Sequence, residues 1–125
     1  MRDKKCSTHK DLDVWKDSMD LVCSIYRITK AFPRDELYGL VSQLRRASVS
    51  ILANISEGAA RQSTKEFIHY LSISRASLSE VEAEVMISQR LEYITQEQCM
   101  NLLNEIESVG VRLSGLIRSL RRKLI

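Results

Sequence analysis

The chain holds one proline, four glycines, three cysteines and two histidines in 125 residues, and each shortage removes a class of protein. Tight hairpins place Pro and Gly at their bends, so a sheet protein with many turns is excluded and helices are favoured. Cys6, Cys23 and Cys99 are odd in number and far apart. They lack the close pairs of a zinc site or dithiol motif and read as free thiols in a reducing, cytoplasmic setting. No stretch approaches the ~20 apolar residues of a membrane span. Met1-Arg2-Asp3-Lys4-Lys5 leads into polar residues rather than into a secretory leader.

Catalytic constellations are missing as well. His9 and His69 have no metal-ligating neighbour at helical spacing. Glu80 and Glu84 sit one turn apart like half of a di-iron site, but the Glu-x-x-His motifs of that architecture are absent. Gly58 belongs to no Gly-rich loop with a Lys-Ser/Thr pair, so it reads as a close helix contact or a helix end. The serines from Ser48 to Ser79 have no base beside them. The expectation is a protein that is not an enzyme, with no cofactor and no metal.

What remains is strongly periodic. With 44% hydrophobic and 28% charged residues, the chain fits one globular domain with its own core. Val14, Leu21, Val22, Ile25, Ile28 and Phe32 recur at helical intervals before Pro33, with Asp11 or Asp13 placed as the cap and Trp15 expected in the core near that end. Leu40, Leu44, Ala47, Ile51, Leu52, Ile55 and Ala59 mark a second stripe; Phe67, Leu71, Leu78, Val81 and Val85 mark a third, after a capping box at Ser63-Thr64-Lys65-Glu66. Thr95-Gln96-Glu97-Gln98 repeats the box ahead of Leu102, Ile106, Val109, Leu113, Leu116 and Leu120, whose alternating spacings of four and three are those of coiled-coil packing. The spacing predicts helices over about 14–31, 36–60, 64–92 and 96–122. Short connections make them an all-α, up-down-up-down antiparallel bundle over 11–122, between a flexible basic segment at 1–10 and a tail at 123–125.

Charge is segregated. Residues 1–10 carry Arg2, Lys4, Lys5 and Lys10 against Asp3, and the last helix ends in Arg118, Arg121, Arg122 and Lys123. Between lies a Glu-rich stretch from Glu80 to Glu107. Helix 2 also has a second face, where Ser42, Arg46, Val49, Ser50, Ala53, Glu57 and Ala60 fall together. Small residues let another backbone approach, which a solvated face does not need. Helix 3 pairs Ile73, Ile87 and Leu91 with Glu80 and Glu84 in the same way. Arg46 and Glu57 are too far apart to pair along one helix, so partners on another helix or another copy are expected.

The segments Leu12-Asp13-Val14-Trp15, Ala31-Phe32-Pro33, Tyr38-Gly39-Leu40, Gln43-Leu44-Arg45-Arg46-Ala47, Ser50-Ile51, Asn54-Ile55-Ser56-Glu57-Gly58 and Lys65-Glu66-Phe67 resemble the bacterial four-helix-bundle family of 23S ribosomal RNA intervening-sequence proteins. The likeness spans roughly residues 11–120 and is most specific from Gln43 to Gly58. It implies a bundle assembled as a ring-shaped homopentamer, related in fold to the accessory proteins of diversity-generating retroelements, which work with a reverse transcriptase and nucleic acid. The expected function is a non-enzymatic oligomeric scaffold that binds structured RNA or DNA mainly through phosphates. The alternative is a protein–protein adaptor acting with a polymerase or ribonucleoprotein. Candidate phosphate contacts are Arg45, Arg61, Lys65, Arg118, Arg121, Arg122 and Lys123. Candidate subunit contacts are Ser42, Arg46, Ser50, Ala53, Asn54, Glu57, Glu80 and Glu84.

Overall fold

The computed structural model describes residues 9–125, which form four α-helices: α1 (His9–Thr29), α2 (Leu40–Ala60), α3 (Thr64–Arg90) and α4 (Gln96–Arg122). A single 3-10 turn spans Arg34–Glu36. Most of the basic segment expected at 1–10 lies outside the described residues.

Each helix packs against two neighbours in cyclic order, α1 on α2, α2 on α3, α3 on α4 and α4 on α1. Cross-links between them pair early residues with late ones. Trp15 reaches Ser56 while Arg45 reaches Thr29, Ser74 reaches Ile51, and Ser24 reaches Glu105 while Arg112 reaches Asp13. Consecutive helices are therefore antiparallel, and the described residues contain no strand.

The core is built from the expected stripes. Phe67, Leu71, Leu78, Val81 and Val85 of α3 and Leu102, Ile106, Val109, Leu113, Leu116 and Leu120 of α4 are all buried. Val22, Ile28, Leu52 and Ala59 are only half-buried, because they flank the seam rather than point into it. Trp15 corrects the expectation of a core residue: it is 38% exposed, and its indole N–H donates to Ser56 Oγ at 3.2 Å across the α1–α2 groove. Its ring lies beside the core instead of within it. Asp11 and Asp13 lie inside α1 rather than ahead of it, since the helix already begins at His9.

Local chemistry explains the ends. α2 begins at Leu40 rather than near residue 36 because the Glu36 carboxylate folds back and accepts the Leu40 N–H at 3.0 Å. Gly39 leaves room for that carboxylate, which a Cβ there would meet at 2.8 Å. At the α2–α3 turn Gly58 lets the helices touch, since an added Cβ would lie 2.8 Å from Phe67 Cδ1 and 2.9 Å from Tyr70 Cβ. Ser63 Oγ accepts the Glu66 N–H, but the Glu66 carboxylate turns to Arg61 instead of completing a box. The Thr95–Gln98 box is reciprocal, with bonds of 3.0 and 2.9 Å.

α3 stops in a Schellman turn: the Tyr93 N–H donates to Ser88 O and the Glu92 N–H to Gln89 O, both at 2.9 Å. The residue that must turn left-handed is Glu92, at φ 64°. A glycine would adopt that conformation without steric cost. Tyr93 anchors the turn, its ring 5.4 Å from that of Phe32 and its hydroxyl donating to Glu36 at 2.9 Å.

Candidate nucleic-acid and self-association surfaces

The antiparallel path brings basic residues distant in sequence to one end of the bundle. Leu78 lies level with Gly110, so thirteen residues back along α3 and thirteen on along α4 place Lys65 beside Lys123. Lys65, Arg118, Arg121, Arg122 and Lys123 are all exposed there and make no ion pair with the described residues. The opposite end mixes Lys30, Arg34 and Arg90 with Asp35, Glu36, Glu92 and Glu97. The bundle is thus electrostatically polar along its axis.

Two further candidate phosphate contacts are engaged internally. Arg61 donates to Glu57 at 3.2 Å and forms an ion pair with Glu66 at 3.5 Å, and its guanidinium lies 5.2 Å from the Tyr70 ring centre. Arg45 donates to Thr29 Oγ1 at 3.0 Å and lies 4.6 Å from the Tyr26 ring centre, so it ties α2 to α1. Sequence spacing could have shown the Glu57–Arg61 pair, four residues apart, but not the contact of Arg45 with Tyr26, 19 residues away. Arg112 is likewise held, by Asp17 at 2.6 Å and Asp13 at 3.3 Å.

The expected subunit-contact residues divide into two groups. Ser50 and Asn54 serve the chain's own α2–α3 contact: Ser50 Oγ and Ser77 Oγ are 2.9 Å apart, and Asn54 donates to Ser50 O at 2.8 Å. Glu57 is taken by Arg61. Ala53, Arg46 and Glu80 face outward, and Ser42 is half-buried and accepts a long 3.5 Å bond from Arg46. Around them Val49, Ile73, Ile87 and Leu91 are 36–49% exposed, an apolar ridge along α2 and α3.

Glu84 behaves differently from the expectation of an open surface carboxylate. It is 5% exposed, and its Oε1 is buried without a hydrogen-bond partner. Burial, followed by the neighbouring Glu80 carboxyl, pushes it up to about 7. Sequence reading also passed over an open groove of about 700 Å³ between α3 and α4, lined by Arg75, Leu78, Glu82, Met100, Val111 and Arg118. Its signal was Gly110 and Ser114, small residues beside the α4 seam. Among the described residues no cluster of His, Cys, Asp or Glu could hold a metal, and no helix is long and apolar enough to cross a membrane.

The family model for 23S rRNA-intervening sequence protein matches residues 10–115, nearly the whole bundle. The chain belongs to that family. Among solved structures, it is similar to a protein of unknown function from the S23 ribosomal protein family of Bacteroides thetaiotaomicron. The two share 29% identity over 87% of this chain and 98% of the other, with a TM-score of 0.81. No curated protein matches this intervening-sequence protein. The family is described by where its genes lie and not by a reaction.

Proposed function

We propose that this intervening-sequence protein is a non-enzymatic scaffold in the cytoplasm that assembles with copies of itself, as a homopentameric ring, and binds structured RNA or DNA through phosphates. The observation that carries the reading is the basic end, where Lys65, Arg118, Arg121, Arg122 and Lys123 stand together without an ion-pair partner among the described residues. Cations in this state can exchange condensed counterions for phosphates, a gain that salt erodes. A ring repeats the cluster once per copy and makes it multivalent. Sequence is not read in this arrangement, because its contacts are to phosphates, and backbone contacts carry no sequence information.

The apolar ridge of α2 and α3 supports the self-association half. Exposed aliphatic groups in a row lose water when another surface covers them, and Ala53 lets that surface come close. The test is a salt titration of binding to a ribosomal RNA fragment and a length-matched DNA duplex. Replacing Arg121, Arg122 and Lys123 with Ser should reduce the slope of log affinity against log salt by roughly 2 to 3 per copy engaged. Unaltered affinity in the triple variant would move the function to the adaptor reading, in which the Glu-rich α3–α4 surface meets a polymerase or ribonucleoprotein.

A further inference from the structure

The Glu80–Glu84 pair is unfinished. Glu84 is almost wholly withdrawn from water, yet its Oε1 has no donor. Besides burial, what acts on it is another carboxyl, on Glu80 one turn away, whose side-chain hydrogen bond and charge both oppose its ionisation. Neither residue has a salt bridge among the described residues. Buried polar groups are nearly always satisfied, so a carboxyl in this state is a place where a donor is missing.

The complementary group is on the same ridge. Arg46 is exposed and, among the described residues, holds only the 3.5 Å contact to Ser42. Arg45 and Arg61, by contrast, are each fixed by two or more partners. Ser50 lies opposite Ser77, so an antiparallel step of one turn brings Arg46 near the level of Glu80, and still no bond forms between them. The α2 side of the ridge therefore carries Val49 and a guanidinium without an ion pair among the described residues, and the α3 side carries two carboxyls that interact only with each other beside Ile73, Ile87 and Leu91.

We infer that the Glu80–Glu84 pair is the seat for Arg46 of a second copy of this chain, and that this ion pair sets the register of the contact. A guanidinium presents a planar fork that suits a carboxylate, and desolvation by the surrounding aliphatic side chains strengthens the bond. Seated on Glu80, it lies one turn from Glu84 and favours the ionised form of that buried carboxyl. The apolar row supplies area. The charges supply specificity, because a shifted register would bury one or both carboxyls unpaired. This inference rests on the self-association reading above and adds to it the residues that choose the neighbour.

A mixing experiment tests it, with full-length chains and mass read by light scattering. One variant is Arg46→Glu. The other joins Glu80→Arg with Glu84→Gln, so that the buried position keeps its shape. Each variant alone meets like charge at every contact and should fall to the 14.4 kDa of one chain, with its helical circular dichroism unchanged. Mixed in equal amounts, the two present opposite charges to each other and should form particles of at least twice that mass. Variants that keep the wild-type mass, or a mixture that stays at one chain's mass, would overturn the inference while leaving self-association standing. A wild-type protein that itself runs at 14.4 kDa would overturn the self-association reading, and this inference with it.

Discussion

The inward seam of α4 and the outward ridge of α2 and α3 are both rows of aliphatic side chains at helical spacing, yet they differ in what lies between those side chains. Along α4, Leu102, Ile106, Val109, Leu113, Leu116 and Leu120 are at most 4% exposed, and each is covered by the other helices. Along the ridge, Ile73, Ile87 and Leu91 are 36–49% exposed and share their surface with Arg46, Glu80 and the orphaned Glu84. The seam needs no charge because hydrophobic burial alone holds it. A ridge that mixes apolar area with unpaired charge suits a contact that has to choose its partner.

Cutting side chains from the two rows should separate fold from assembly. Leu113→Ala, at a site with 0% exposure, should cost about 2–5 kcal/mol in chemical denaturation. Gly58→Ala should come next: the helical gain of an alanine is outweighed by its collision with Phe67 and Tyr70, for a net loss of about 1–2 kcal/mol. Glu92→Gly should stabilise the chain by about 1 kcal/mol, since the αL position at the end of α3 no longer carries a Cβ. Ala53→Arg, on the ridge, should change the stability of the single chain by less than about 0.5 kcal/mol, yet reduce the mass in solution to one chain. If Ala53→Arg instead unfolds the protein, or if Leu113→Ala costs under about 1 kcal/mol, the division between the rows is drawn wrongly.

The sequence disclosed the seam almost completely, because a fully buried stripe leaves a clean period and its capping boxes announce where helices begin. Elements that rely on contacts across helices were harder to read. Nothing near Leu40 signals that Glu36 will cap it from four residues upstream. Trp15 looked like core by its chemistry, but its spacing from Val14 sets it on the flank, where Ser56 can take its N–H. Arg45, Arg46 and Arg61 are alike in sequence, and only the packed helices distinguish the two that are tied from the one that is idle. Glu84 was placed on the surface because its neighbour Glu80 is there, although Glu84 itself is buried.

The central claim is that basic ends act together in an assembly, and its most direct test is the slope of log affinity against log salt for wild-type protein on a ribosomal RNA fragment. One chain offers Lys65, Arg118, Arg121, Arg122 and Lys123, together with Arg2, Lys4, Lys5 and Lys10 of its first ten residues, enough for a slope of roughly −8 at most. A steeper slope is the predicted result, because several copies must then contact the backbone at once. A shallower slope, or no binding, would contradict the account.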